Sequence, residues 1–294
     1  MRPQVVIIAT LLLNATLFAI NLAAAVTTGS RAVLSQAIYT VTDLVGSAFL
    51  LWGLYLSRRP ADYDRPFGHG RERFFWAFVS IIVTFTVAGL LALVAGFDQV
   101  ADPTPIKYIG VALLVVGATV AASVAGIAVT LRELRTSKET LSQLLASANQ
   151  GLKSIFYQDL VAIVGSVAAL VGLLIVFRTG REVVDGLTAI VEGMILILAG
   201  IVLTAESREY LVGRALEPKD TRGLLSIIAR DPRVAKVRDA HSMLLGPDDA
   251  LLALKINFQD GLTTDQIEQT IDQLAAAVKA AYPVVRHVVI EPES

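Results

Sequence analysis

Hydrophobic positions along this chain come in long unbroken runs rather than in the short periodic clusters of a soluble fold. Six runs are long enough to span a bilayer, each near the roughly 20 apolar residues a membrane helix needs. They cover Val5–Val26, Val33–Leu56, Phe74–Phe97, Tyr108–Leu131, Ser154–Phe177 and Leu187–Ala205. The first has no small-residue cleavage site leading into a soluble domain, so it reads as a retained helix rather than a cleaved signal. Past Glu206 the pattern changes. Leu224–Ala229 suits a short helix, while Val234–Leu245 and Leu251–Phe258 alternate apolar and polar residues on either side of Gly246-Pro247-Asp248-Asp249. Thr264–Ala281 carries Ile267, Ile271, Leu274, Ala275 and Val278 at helical spacing, and Val284–Ile290 is a β-branched run. The order helix, strand, strand, helix, strand predicts a small α/β sandwich.

Composition agrees. The 294 residues are 54% hydrophobic and only 17% charged, with a mean hydropathy of +0.64, against about 25% charged in a soluble domain. Charge is concentrated late: residues 1–207 hold 14 basic and 13 acidic side chains, and residues 208–294 hold 11 and 13. The chain therefore divides into a membrane domain, 1–207, and a water-soluble domain, 208–294. A net charge of −1 gives no reason to expect nucleic acid as a partner. The absence of cysteine excludes disulfides, thiolate metal sites and thiol nucleophiles. No nucleophile–base set or phosphate loop supports an enzyme.

Basic residues set the orientation. Arg58, Arg59, Arg65, Arg71 and Arg73 lie between the second and third runs, and Arg132, Arg135 and Lys138 between the fourth and fifth. The opposite connections carry Arg31, Lys107, Arg178 and Arg181. The basic loops are expected on the cytoplasmic side. Six crossings then place both termini and the soluble tail there, in a multi-pass protein that suits a bacterial inner membrane. Arg208 and Arg214, at the tail's start, suit headgroup contacts with membrane lipid.

Three acids fall inside apolar runs: Asp43, Asp159 and Glu192. A charged side chain at bilayer depth costs about 2.5–3.5 kcal/mol on insertion scales, so it has a partner or a task. No Lys or Arg lies at comparable depth to Asp43 and Asp159. Ser35, Tyr39 and Asp43 follow one another at intervals of four and share a helix face. Gln158 stands beside Asp159. Together these residues describe an oxygen-rich divalent-cation site or, equally, a proton relay. Glu192 is read either as a contributor to that site or as a solvated interfacial acid. The amides Asn14 and Asn21 read as hydrogen-bonding links between helices.

With these residues in view, the sequence resembles the cation diffusion facilitator family. The resemblance runs through Thr28-Gly29-Ser30, Ala32-Val33-Leu34-Ser35-Gln36-Ala37 and Asp43, then Arg65-Pro66-Phe67-Gly68-His69-Gly70-Arg71-Glu72-Arg73-Phe74, Asp159 and Asp185-Gly186. It continues in the tail through Asp231-Pro232-Arg233-Val234, Gly246-Pro247-Asp248 and Val289-Ile290-Glu291-Pro292. It implies six membrane helices, a cytoplasmic ferredoxin-like tail, a homodimer, and efflux of a divalent metal, usually zinc, in exchange for protons. The metal is cargo, and no cofactor is expected.

The family's transport site takes a His or Asp four residues before an Asp on each of helices two and five. Asp43 and Asp159 match the second members, whereas Tyr39 and Ile155 stand at the first. Gln158 replaces an acid found there in one branch. Two carboxylates with neutral oxygens suit manganese or ferrous iron, or zinc with water completing its shell. Tyr39, Gln158 and Glu192 are the remaining candidates for that shell. The resemblance also implies an accessory metal site near His69, with Asp62 and Asp64 at hand, against which stands a solvated loop residue beside arginines, and a regulatory site in the tail from Asp239, His241, His287 and Glu291, against which stands plain strand surface or interface packing. The alternative is a membrane protein that binds cation without transporting it, on its own or as a heterodimer subunit.

Overall fold

The computed structural model describes residues 3–136 and 150–293; Lys138, one of the residues used for orientation, lies outside them. The chain forms two compact units, Met1–Tyr55 with Phe75–Ser207, and Leu56–Phe74 with Arg208–Ser294.

The first unit is made of six apolar helices: α1 (Pro3–Thr28), α2 (Arg31–Leu56), α3 (Glu72–Ala101), α4 (Ile109–Thr136), α5 (Gln150–Thr179) and α6 (Val183–Val212). Five helical stretches among the described residues are long and apolar enough to cross a membrane, and the described part of α1 adds the shorter apolar stretch Asn14–Thr28. This is an integral membrane protein. The helices extend a few residues beyond the apolar runs because polar end residues still close helical hydrogen bonds.

Gly29, at φ +75°, ends α1 and lets the chain reverse into α2. The start of α2 is capped from another helix. The buried Asp185 carboxylate accepts hydrogen bonds from Ser30 Oγ (2.6 Å), Arg31 N (2.5 Å) and Ala32 N (3.2 Å). It thus satisfies N–H groups that have no partner inside the helix and places negative charge at the positive end of the helix dipole.

Helices α3 and α6 touch backbone to backbone. A Cβ at Gly89 would stand 2.8 Å from Gly193 O, and one at Gly96 would stand 2.7 Å from Gly186 O. Small residues at a seven-residue interval give each helix a smooth strip on which the other rests. Within α3, Ile82–Val87 forms a π-helical segment. There Thr84 and Thr42 exchange side-chain contacts with each other's carbonyls at 3.4 Å, fixing α3 to the turn of α2 that precedes Asp43.

The second unit joins the loop 56–74 to the tail. The tail runs α7 (Pro218–Ile228), β1 (Val234–Gly246), β2 (Asp249–Phe258), α8 (Thr264–Ala281) and β3 (Val285–Glu293), the predicted element order. The sheet order is β1-β2-β3, with β1 and β2 antiparallel and β2 and β3 parallel. Alternation along β2 buries Ala250, Leu252, Leu254, Ile256 and Phe258. Leu274 and Val278 of α8 and Leu224 and Ile228 of α7 complete a ferredoxin-like α/β core. Thr263 and Gln266 form a reciprocal capping box at the start of α8.

The loop packs on this tail. Phe74 packs at a tilt against Tyr210, with ring centroids 5.3 Å apart, and Arg214 lies 4.8 Å over the Tyr210 ring. A Cβ at Gly70 would meet Leu245 O at 2.7 Å, so the Gly-His-Gly stretch sits flush against the β1–β2 turn. Arg73 faces Asp248 at 3.8 Å, and Phe67 meets the His287 ring edge-on at 5.2 Å. The Gly68-His69-Gly70 stretch and the Gly246-Pro247-Asp248 turn are therefore packing elements within one unit.

Candidate metal centre

Along α2, Ser35, Gln36, Tyr39 and Asp43 are all buried. Helical periodicity puts Ser35, Tyr39 and Asp43 on one stripe, but the neighbouring helices give them different partners. Asp43 Oδ2 accepts a hydrogen bond from Asn14 Nδ2 of α1, while Asp43 Oδ1 is buried without a hydrogen-bond partner. Tyr39 Oη donates to Gln158 O at 3.0 Å, tying α2 to α5 at the turn that carries Asp159. Gln158 Nε2 is buried and has no hydrogen-bond partner among the described residues. Asp159 lies against α4, where a Cβ at Gly126 would stand 2.7 Å from both carboxylate oxygens. Only a glycine leaves that room. Asp43, Asp159 and Tyr39 are near enough to interact electrostatically.

Asn14 and Gly126 are the parts of this cluster that sequence reasoning did not assign to it. Asn14 was legible as an interhelical link, and it is one, with Asp43 as its acceptor. Gly126 carries no signal of its own, since glycine is common in membrane helices. The side chain of Ile155 lies outside the described positions.

Glu192 on α6 is 2% exposed, so it is not an interfacial, solvated acid. Its Oε2 accepts hydrogen bonds from Ser35 Oγ and from Gln36 Nε2, the latter at 3.1 Å, and its Oε1 has no hydrogen-bond partner. A small cavity opens beside it, lined among others by Ser35, Gln36, Tyr39 and Glu192. The oxygen stripe of α2 thus serves two carboxylate clusters, with Tyr39 between them.

The polar residues of the second unit are arranged as separate pairs. His69 Nε2 meets Asp62 at 2.9 Å, with Arg65 3.4 Å from the other ring nitrogen and also paired with Glu72. The His69 hydrogen bond holds the Asp62 carboxyl below the usual carboxylate range. Asp64 is exposed and joins none of these pairs. In the tail, His241 pairs with Asp239 at 2.8 Å and His287 with Asp249 at 3.6 Å. Strand β2 separates these histidines, because His241 lies opposite Ala253 and His287 opposite Leu251 on its other edge. Lys255 stands between Asp239 and Glu291 in the ladder and pairs with Glu291 at 3.4 Å. Among the described residues, no three His, Asp or Glu side chains converge as a closed metal shell. A cation at Asp43 and Asp159 would therefore draw on neutral oxygens and water.

A bundle of long apolar helices with buried acids in its interior defines a class, an integral membrane protein with a polar core. The family model for the cation efflux transmembrane domain matches residues 7–212, and the chain belongs to that family, the cation diffusion facilitators. It is a family of transporters rather than of enzymes. The chain is 25% identical over 237 residues to metal tolerance protein C4 of Arabidopsis thaliana, across 79% of this chain and 52% of that protein. It is 22% identical to the human mitochondrial proton-coupled zinc antiporter SLC30A9, across 86% of this chain and 46% of the other. It is 24% identical to the cation-efflux pump FieF of Escherichia coli, across 87% and 81%. The chain spans about half the length of the first two.

Proposed function

We propose that this protein exports a divalent metal cation from the cytoplasm in exchange for protons, working as a homodimer in a bacterial inner membrane. Asp43 and Asp159 hold the ion. One observation carries the reading: two acids from helices α2 and α5 lie close enough inside the bundle to act on each other, and among the described residues Asp43 Oδ1 is buried with no hydrogen-bond donor and no ion-pair partner. A buried carboxylate oxygen left this way is costly unless a ligand or a proton completes it. The names of the relatives, a proton-coupled zinc antiporter and a cation-efflux pump, support the same direction of chemistry.

Tyr39 Oη and the side chain of Gln158 are neutral groups on the same helices, with water filling the rest of the shell. Such a set suits manganese or ferrous iron, and zinc with bound water. Proton exchange follows from linkage. A carboxylate must be deprotonated to ligate, so proton binding from the far side releases the metal and metal binding releases protons. No histidine lies among these residues, so the carboxylates themselves carry the exchanged protons.

In this reading residues 1–207 form the membrane domain and residues 208–294 the cytoplasmic tail, with the arginine-rich loop 58–73 on the same side. The tail offers self-association, since about 80 residues make a small core and a second copy adds burial. The histidine pairs of the loop and tail supply two donors each, and we assign them no share of the transport centre.

The test is flux in proteoliposomes with zinc, manganese and ferrous iron presented separately, with and without a pH gradient. Flux of one ion that needs both Asp43 and Asp159 and is driven by acid on the receiving side is the expected result. Flux that survives Asp43→Ala and Asp159→Ala would move the site elsewhere. Binding without flux, from folded dimer, would favour a cation-binding protein that does not transport.

A further inference from the structure

Glu192 has no place in the Asp43–Asp159 centre, yet it carries the marks of a ligand-binding group. Its two partners on α2, Ser35 and Gln36, precede Asp43 by eight and seven residues. At 1.5 Å per residue that is about 10–12 Å along the helix. Metal–oxygen bonds are about 2.0–2.6 Å long. One ion cannot bind Asp43 and Glu192 together in this arrangement.

We propose that Glu192, Ser35 and Gln36 form a second cation station, separate from the Asp43–Asp159 centre and reached from it past Tyr39. The proposal rests on the transport reading given above and adds a stop on the route.

Three observations carry it. Glu192 is 2% exposed, and its Oε1 lacks any hydrogen-bond partner while the carboxylate borders a cavity. No ion pair among the described residues neutralises it, and Asp185, which acts on it, carries the same sign. The cavity has neutral oxygen chemistry on one wall, from Ser35 and Tyr39, and no side chain on another, at Gly165.

The ligand class follows from the donors. One carboxylate, one hydroxyl and one amide suit a hard cation that keeps part of its water. A single carboxylate binds more weakly than the pair at Asp43 and Asp159. A weak second site is what conduction needs, because an ion must be able to leave each stop. The station lies toward the end of α2 that begins at Arg31, which the orientation proposed above puts on the exit side. Tyr39 lines the cavity and also interacts with both acids of the main centre, so it stands at the passage between the two.

Equilibrium binding of Mn2+ to the full chain in detergent, counted by electron paramagnetic resonance, with Zn2+ measured in parallel by equilibrium dialysis, tests the idea. Wild type should bind two classes of ion per protomer. Asp43→Asn with Asp159→Asn should remove the tighter class and leave the weaker. Glu192→Gln should remove the weaker class, leave the tighter, and slow flux about tenfold with the half-saturating concentration unchanged. Ser35→Ala keeps the carboxylate and should weaken the second class about threefold to tenfold. It also keeps the test valid if Glu192→Gln does not fold. A single class that vanishes with Asp43 and Asp159 overturns the station and leaves the transport reading intact. Loss of pH-gradient drive in Glu192→Gln with both binding classes retained also overturns it, and reassigns Glu192 to protons. A folded wild type that binds neither ion overturns both.

Discussion

Asp185 and Glu192 stand seven residues apart on α6, both buried, and both reach across to α2. Asp185 receives three hydrogen bonds, from Ser30, Arg31 and Ala32, shared over both of its oxygens. Glu192 receives two, both on Oε2, its other oxygen has no hydrogen-bond partner among the described residues, and the residue lines a cavity. Asp43 repeats the second pattern, with one oxygen held by Asn14 and the other bare. The contrast separates two uses of an acid in a membrane. Fully supplied with donors, a carboxylate fastens helices together. Half supplied, it remains open to a cation or a proton.

The contrast can be broken at several points. The largest effect is expected for Asp43→Ala, which should cut metal flux about 100-fold while the protein still folds. Removing an underpartnered buried acid relieves a penalty rather than creating one. A large fall in thermal stability in detergent would place Asp43 with Asp185, as a structural acid.

Gly193→Val comes next. Its side chain would enter space now held by Gly89 O at 2.8 Å, and overpacking of this kind costs about 1–3 kcal/mol. Loss of stability and of flux together is expected, because α6 carries both Asp185 and Glu192. Unchanged melting would show that α3 and α6 separate at little cost.

Asp185→Ala leaves the N–H groups of Arg31 and Ala32 buried and unanswered, at about 1–3 kcal/mol. Flux per folded molecule should change little. Flux lost with unchanged melting would make Asp185 a functional acid after all.

The smallest effect belongs to the tail. Arg233 holds Asp231 through two side-chain hydrogen bonds, at 2.9 and 2.7 Å, and one from its backbone N–H at 3.0 Å, and keeps its carboxyl below the usual carboxylate range. A carboxyl depressed in the folded state contributes stability above its unfolded pKa and loses it as pH falls through the folded one. Asp231→Asn should therefore melt slightly below wild type at pH 7, with the gap closing in acid. A gap that persists at pH 2 would rule out this ion pair as its source.

Much of this architecture could be read from the chain. The apolar runs located the helices because a bilayer admits no other backbone arrangement for a single segment of that length. Alternation located β1 and β2, since a sheet with one buried face imposes a period of two. The depth of Asp43, Asp159 and Glu192 marked them as costly. What the sequence left open was partnership. The stripe Ser35, Tyr39, Asp43 looked like one site, yet Ser35 turns out to serve Glu192 and Tyr39 to reach Gln158 O. His241 and His287 both fall in tail strands, but β2 lies between them. The loop 56–74 follows a membrane helix in the chain and packs with the tail.

Secondary structure is written in local periodicity and apolar runs in local hydropathy, so the chain alone determined the helices, the strands and which acids fall inside apolar runs. Which oxygen meets which donor depends on the rotation and register of one helix against another. Those are set by distant contacts such as Gly89 against Gly193 and Gly126 against Asp159, where the absence of a side chain decides how close two helices stand. Only the tertiary structure could distribute hydrogen-bond donors unequally between Asp185 and Glu192, because both present the same carboxylate to a sequence reader and differ in what surrounds them.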